Sequence, residues 1–343
     1  MKSFLQRTLI LAFAAGMAAL TLLLSEWAVQ PVEQAVLPPT PTSTPMPTPT
    51  PTPTPTPCPG LPGAFAPLDP LVAARMEREP TPTPDAFPPL LEGRLLVTLY
   101  GTPLGRGLGI LGTASATETV RMAEEQAAAY RDLLTGTEVI PGFHMVVVIA
   151  DAYPGEDGDY NHRVPPALVQ RWIDVARAHG LWVVLDIQNG HSPITRELSY
   201  VEPFLLEHNV HLAVDPEFMM SETLRIPGER IGFMDGETLN LIQHWLAGVA
   251  QRSGERKLLI IHQFDDRMFA GKAVIRDEPL VELVWDADGF GPPRGKIGDY
   301  LQYAAEPGFE YGGIKLFYDY DHPLMTPADV LRLRPRPAYV TYQ

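Results

Sequence analysis

The 343-residue chain sets 26 Lys and Arg against 41 Asp and Glu, a formal charge of -15, which disfavours a nucleic-acid partner or a polybasic membrane patch because phosphates would be repelled. Its one cysteine, Cys58, excludes an internal disulfide and a cysteine-built metal cage. Much of the first quarter is not domain-like, which leaves about 250 residues for a single large core.

Lys2 and Arg7 precede the apolar run Leu9 to Leu24, the layout of a signal peptide or signal anchor over residues 1–30. Small-x-small cleavage signals are absent after it, since Glu26-Trp27-Ala28 and Glu33-Gln34-Ala35 each place a glutamate where a small residue is needed. The preferred reading is an uncleaved anchor with its positive end inside, contact with a membrane through this segment only, and the bulk of the chain extracytoplasmic. Residues 31–90 follow as a stalk, built on the repeat Pro39-Thr40-Pro41 through Pro55-Thr56-Pro57 with an echo at Pro80-Thr81-Pro82-Thr83-Pro84. Such a stretch cannot bury a core and extends as polyproline II at ~3.1 Å per residue.

From 91 to 343 short apolar runs alternate with helix-like segments, the signature of βα units around a parallel sheet. Strands are expected at Arg94 to Tyr100, Phe143 to Ala150, Leu181 to Ile187, Val210 to Asp215, Lys257 to Phe264, Val281 to Asp286, Gly313 to Tyr318 and Ala338 to Tyr342. Helices fit at Thr117 to Leu134, Pro166 to His179, Ile194 to His208, Gly236 to Arg252, Lys296 to Glu306 and Pro327 to Leu331, with no helical pattern between Phe264 and Val281. This predicts an α/β fold, a single (β/α)8 TIM-type barrel with its site at the C-terminal ends of the strands. A doubly wound open sheet is the alternative. The glycine-rich turn Gly101 to Gly109 contains Pro103 and runs on into Ile110 and Leu111, which makes a poor phosphate cradle.

Side chains alternate along a strand, so the polar residues of each can be assigned a face. Thr98 and Tyr100 oppose Val97 and Leu99; Val184, Asp186 and Gln188 oppose Leu185 and Ile187; Ala213 and Asp215 oppose Leu212 and Val214. Val284, Asp286 and Asp288 oppose Leu283 and Trp285, and Lys315, Phe317 and Asp319 oppose Ile314 and Leu316. On the fifth strand either His262 or Gln263 could face inward. If the pleat holds beyond Pro216, Glu217 joins Asp215. The mouth then gathers acids from at least four strands. Two carboxylates ~5.5 Å apart repel by ~3 kcal/mol at an effective dielectric near 20, enough to raise one pKa by about two units. One protonated and one ionised carboxyl is what glycoside hydrolysis requires.

Asp215-Pro216-Glu217 resembles the Asp-x-Glu signature of barrel glycosidases such as the chitinase family and the Asp-x-Glu lysozymes. That resemblance implies Glu217 as general acid and Asp215 as the group orienting a substrate acetamido. Ala213 and Val210 stand where the further upstream chitinase aspartates fall. The series Tyr100-Gly101, Leu185-Asp186-Ile187-Gln188, Leu212-Ala213-Val214-Asp215-Pro216-Glu217, Ile261-His262-Gln263-Phe264, Asp286-Ala287-Asp288-Gly289 and Phe317-Tyr318-Asp319 is also similar to a family of exported bacterial proteins without an assigned reaction, across residues 94 to 343.

His191-Ser192-Pro193-Ile194-Thr195 and Phe264-Asp265-Asp266 resemble polysaccharide-deacetylase metal motifs in reversed order, with Thr195 in place of a second histidine. Without a His-x-His or comparable ligand spacing, neither a metal nor a cofactor is expected. The expected function is therefore an envelope-tethered, glycoside-hydrolase-like protein acting on a polysaccharide or cell-wall glycan. Glu217 is the acid and Asp215 or Asp286 the nucleophile or stabiliser, with Tyr100, Asp186, Gln188, His262, Asp288, Lys315 and Asp319 around the sugar. The competing expectation is a non-catalytic glycan-binding or envelope-structural barrel.

Overall fold

The computed structural model describes residues 87–220 and 225–343. The expected signal or anchor segment and nearly all of the expected stalk lie outside the described residues. Among those described, no helix is long and apolar enough to cross a membrane.

Eight strands form the wall of a barrel: β1 (Arg94–Gly101), β2 (Glu138–Ala150), β3 (Trp182–Ile187), β4 (Val210–Val214), β5 (Lys257–Gln263), β6 (Val281–Ala287), β7 (Tyr311–Leu316) and β8 (Tyr339–Tyr342). Neighbours run parallel in sequence order, and β1 pairs with both β2 and β8, so the sheet closes. Closure rules out the doubly wound alternative, which would leave two edges open. Around the wall lie α1 (Ala116–Arg131), α2 (Pro166–Ala178), α3 (Ile194–Leu205), α4 (Gly236–Ser253), α5 (Pro293–Ala304) and the short α6 (Pro327–Val330). Between β5 and β6 the chain makes two 3-10 turns, Asp266–Met268 and Lys272–Val274, where the sequence lacks helical periodicity.

Each face of the wall has its own core. Outward residues such as Val97, Leu99, Leu185, Leu212, Leu283 and Leu316 pack with Tyr130, Trp172, Phe204 and Leu246 of the helices. Inside, Leu96, Ile140, Trp182, Val184, Leu258, Ile260 and Val284 fill the lower half of the barrel. Leu90 and Leu91 close it from below, and their N–H groups donate to the Glu282 carboxylate at 2.6 and 2.8 Å. Burying these two leucines contributes about 1.5–3 kcal/mol each. The expected domain start at residue 91 therefore cuts through the plug.

β2 begins at Glu138, earlier than the expected Phe143, and passes through Pro141. Glu138 N–H donates to Gly93 O on the β1 side, so alternation turns Pro141 toward β3. There the ladder starts only at Gly142 opposite Trp182, and the missing proline N–H breaks no bond. Further along, the register against β3 shifts between Val146 and Val148, and Val147 and Val148 both join the outer core. The glycine-rich turn after β1 folds back on itself: a side chain on Gly101 would lie 2.4 Å from Leu108 O, and one on Gly112 would lie 2.5 Å from the carbonyls of Thr102 and Gly105. Backbone packing explains these glycines without a phosphate.

Gly142 faces the barrel interior, where an added Cβ would sit 2.7 Å from Trp182 O, 3.0 Å from Thr98 and 3.1 Å from Leu96. The carbonyl belongs to the wall and cannot swing away as a side chain would. Gly142→Ala is expected to destabilise the fold by about 1–3 kcal/mol, read as a lowered denaturant midpoint at unchanged slope.

Candidate functional site

Above the apolar plug the barrel interior becomes polar. β1 contributes Thr98 and Tyr100, β2 His144, β3 Asp186, β4 Asp215 just beyond its end, β5 His262, β6 Asp286 with Asp288 just beyond, β7 Lys315, and β8 Tyr339 and Thr341, all buried. The face assignments made from strand alternation hold for β1, β3, β4, β6 and β7, whose opposite residues lie in the outer core. On β5 the ambiguity resolves in favour of His262. Gln263 points the other way, and its Oε1 accepts from Lys272 Nζ at 2.6 Å.

His262 is the hub. Its Nε2 lies 3.4 Å from Asp186 Oδ2, and its Nδ1 lies 3.1 Å from Asp286 Oδ2 and 3.4 Å from Asp288 Oδ2. Burial works against a charge on the ring, but the carboxylate of Asp186 and the contacts to Asp286 and Asp288 prevail and raise its pKa well above the usual imidazole value. Asp186 shows the reciprocal effect: burial alone would raise it, yet the His262 charge and the two histidine contacts hold it far below the ordinary carboxylate range. Its Oδ2 also accepts from Tyr100 OH at 3.2 Å and lies 3.1 Å from His144 Nε2. The other His144 nitrogen, Nδ1, is 2.6 Å from Tyr339 OH, which in turn lies 2.9 Å from Thr98 Oγ1. Burial pushes the His144 pKa down, so this second imidazole is neutral beside a charged one.

Asp215 and Glu217 are set differently. β4 ends at Val214, and Pro216–Phe218 is a 3-10 turn with Asp215 as its cap, Oδ1 accepting from Glu217 N–H at 3.0 Å. The expected continuation of the pleat to Glu217 fails, because Pro216 opens a helical turn where it fits well at the first position. That turn still leaves Glu217 half-buried within the field of the cluster, with neither a hydrogen bond nor an ion pair to its carboxyl among the described residues. Burial, then Asp215 and Asp288, raise its pKa well above the usual value. Asp215 is pushed up to about 7, by burial first, with His262 and Lys315 opposing and Asp288 and Asp186 adding. Lys315 Nζ lies 3.6 Å from the centroid of the Tyr100 ring, a cation–π contact that leaves its charge free to act on the acids.

The Asp215 shift makes a stability prediction. The native state holds this proton to about pH 7, whereas the unfolded chain releases it near pH 4. The associated stability is therefore complete below about pH 4 and is lost as pH rises to about 7. Asp215→Asn keeps the Oδ1 cap and removes the ionisation. It is expected to flatten this dependence and to make the fold more stable than the parent by about 2–4 kcal/mol at pH 8, with little difference at pH 4, in parallel denaturant titrations.

Other expected site residues fall elsewhere. Asp319 is exposed in the turn after β7, because the strand ends at Leu316 and alternation ends with it. The acid that faces inward there is Asp321: it accepts from Gly291 N–H and Phe317 N–H at 2.8 and 2.9 Å and pairs with Lys296 at 3.2 Å, tying together the loops after β6 and β7. Gln188 is buried at the rim, 3.4 Å from Ala150 N–H. Asp286 and Asp215 are both buried, and of the three expected catalytic carboxyls only Glu217 is partly exposed. The deacetylase-like residues do not assemble: His191 Nε2 lies 2.7 Å from Arg225 O, and Asp265 pairs with Arg267.

The sequence reading missed His144, Tyr339 and Thr341. His144 was legible, being the polar member of an inward series opposite Phe143 and Met145. Its nitrogen, a carboxylate oxygen of Asp186 and a nitrogen of His262 come within 4.8 Å of one another, a donor set able to hold a metal ion. The expectation of no metal site rested on local spacing, and here each donor comes from a different strand. No protein-family model matches the sequence and no curated protein matches it, so the likeness to Asp-x-Glu barrels rests on Asp215, Pro216 and Glu217 themselves.

Proposed function

We propose that the mouth of this barrel hydrolyses a glycosidic bond in a polysaccharide or cell-wall glycan outside the cytoplasm, with Glu217 as leaving-group acid. The observation that carries this reading is the Glu217 carboxyl: half-buried, without a described protein partner, and kept protonated by burial and by Asp215 and Asp288. An acid in that state can give its proton to a glycosidic oxygen at neutral pH, while a partner carboxylate stabilises the oxocarbenium-like charge or attacks it. Asp215 is the partner within reach of the same turn: burial pushes its pKa up to about 7 against the opposing pull of His262 and Lys315, so at neutral pH it is only partly ionised and becomes the full carboxylate above that. Phe290 and Tyr320, both exposed and packed against Phe317 beside the mouth, offer ring faces on which a pyranose could stack.

The export part of the reading rests on residues 1–90 of the sequence, with the apolar run and the Pro-Thr repeat serving as anchor and stalk. Complete burial of Asp186, His262 and Asp286 favours a second reading, a glycan-binding barrel in which the deep cluster is structural. Incubating the purified chain with a panel of polysaccharides, peptidoglycan included, and measuring new reducing ends separates the two. Release from at least one substrate supports the hydrolase, retention without release supports the binding barrel, and neither outcome on any glycan refutes both.

A further inference from the structure

Buried polar atoms in folded proteins nearly always have partners, yet the centre of this barrel concentrates exceptions. His144 Nε2, both ring nitrogens of His262, Asp186 Oδ1, both oxygens of Asp286 and Asp288 Oδ1 are buried without a hydrogen bond. The ring nitrogens approach carboxylate oxygens at 3.1 and 3.4 Å, but without hydrogen-bond alignment. Those two separations suit a different bond, and the three donor atoms together lie within 4.8 Å of one another. Donors each about 2.1 Å from one cation lie roughly 3.0–3.4 Å apart at right-angle or tetrahedral geometry.

We propose that His144 Nε2, the Asp186 carboxylate and His262 Nε2 form a binding site for a divalent first-row transition-metal ion on the floor of the mouth. Two imidazoles and one carboxylate favour zinc, iron, cobalt or manganese over calcium and magnesium, which take oxygen donors. The surroundings already hold the donors in place. Tyr339 OH against His144 Nδ1 at 2.6 Å fixes that ring and leaves Nε2 for the metal. On His262, Nδ1 faces Asp286 at 3.1 Å, the carboxylate–histidine arrangement that orients a ligand imidazole. Tyr100 OH donates to Asp186 Oδ2 at 3.2 Å. Asp286 and Asp288, beside His262, add negative potential around the cation. Such an ion would polarise a hydroxyl or water at the base of the mouth. This inference goes beyond the glycan reading and does not rest on it.

The test uses the full chain, freed of metal by chelation and dialysis, titrated with Zn2+ by calorimetry and with Co2+ by visible absorption. One equivalent of Zn2+ is expected to bind, Co2+ to give the d–d bands of a low-symmetry nitrogen–oxygen site, and Mg2+ and Ca2+ not to compete. His144→Ala and His262→Ala should each weaken Zn2+ by about 100-fold or more, whereas His208→Ala, on the exposed surface, should leave it unchanged. Should either alanine variant fail to fold, the Co2+-loaded parent supplies the same information: two hyperfine-shifted imidazole N–H signals protected from solvent are expected. Absence of stoichiometric binding, affinity unchanged in both variants, or a Co2+ form lacking those two signals would each overturn the site. Binding is read without substrate, so a chain that takes up zinc but cleaves no glycan retains this site and loses the hydrolase.

Discussion

Glu217→Gln is expected to lower glycan cleavage by about 10²- to 10⁴-fold, the usual worth of a positioned general acid, with substrate affinity little changed. Glutamine keeps the shape and the Asp215 Oδ1 to residue-217 N–H bond of the turn, so the loss isolates the proton itself. The pH profile gives a second check. Because Glu217 is raised well above the ordinary carboxylate value, activity should persist to neutral pH and fall on the alkaline side as this group ionises. The variant should lose that alkaline limb along with the rate. Cleavage unaffected by the substitution would remove Glu217 from the role of acid and leave the other mouth carboxylates to be tried.

Asp186→Ala is expected to destabilise the fold by about 3–5 kcal/mol, the cost of leaving a buried charge without its partner. Asp186 Oδ2 is the one atom that meets Tyr100, His144 and His262, all fully or almost fully buried. Removing it leaves the His262 charge to Asp286 and Asp288 and strands the Tyr100 hydroxyl. The contrast with Asp215 is instructive. Asp186 is held ionised and supports the cluster, whereas Asp215 is held protonated, so its ionisation opposes folding. Asp186→Ala should lower the denaturant midpoint at every pH where the native state forms, while Asp215→Asn should raise it only toward neutral and alkaline pH. If the two variants shifted stability alike, the charge assignment within the cluster would be wrong.

Much of this arrangement could be read before any coordinates. The order of βα units and the irregular link after β5 follow from the sequence of apolar runs and helical periods, and the inward faces of Asp186, Asp215, Asp286 and Lys315 from alternation within a strand, each a property of a few consecutive residues. Errors fell where a strand stopped. Past Leu316 the chain turns, so Asp319 is exposed and Asp321 takes the buried place; past Val214 it winds into a 3-10 turn, so Glu217 reaches the cluster by another route.

By itself, the sequence determined a parallel sheet of βα units whose strands carry apolar and then acidic residues on one face, because hydrophobic period and side-chain face are local; it left open whether that sheet closes into a barrel. Only the tertiary structure decided that His144, Asp186 and His262 meet at one point. That meeting needs the closure of β1 onto β8 and a shared height along three strands far apart in the chain. Height and closure are set by how whole sheets pack, and no short window of residues contains them.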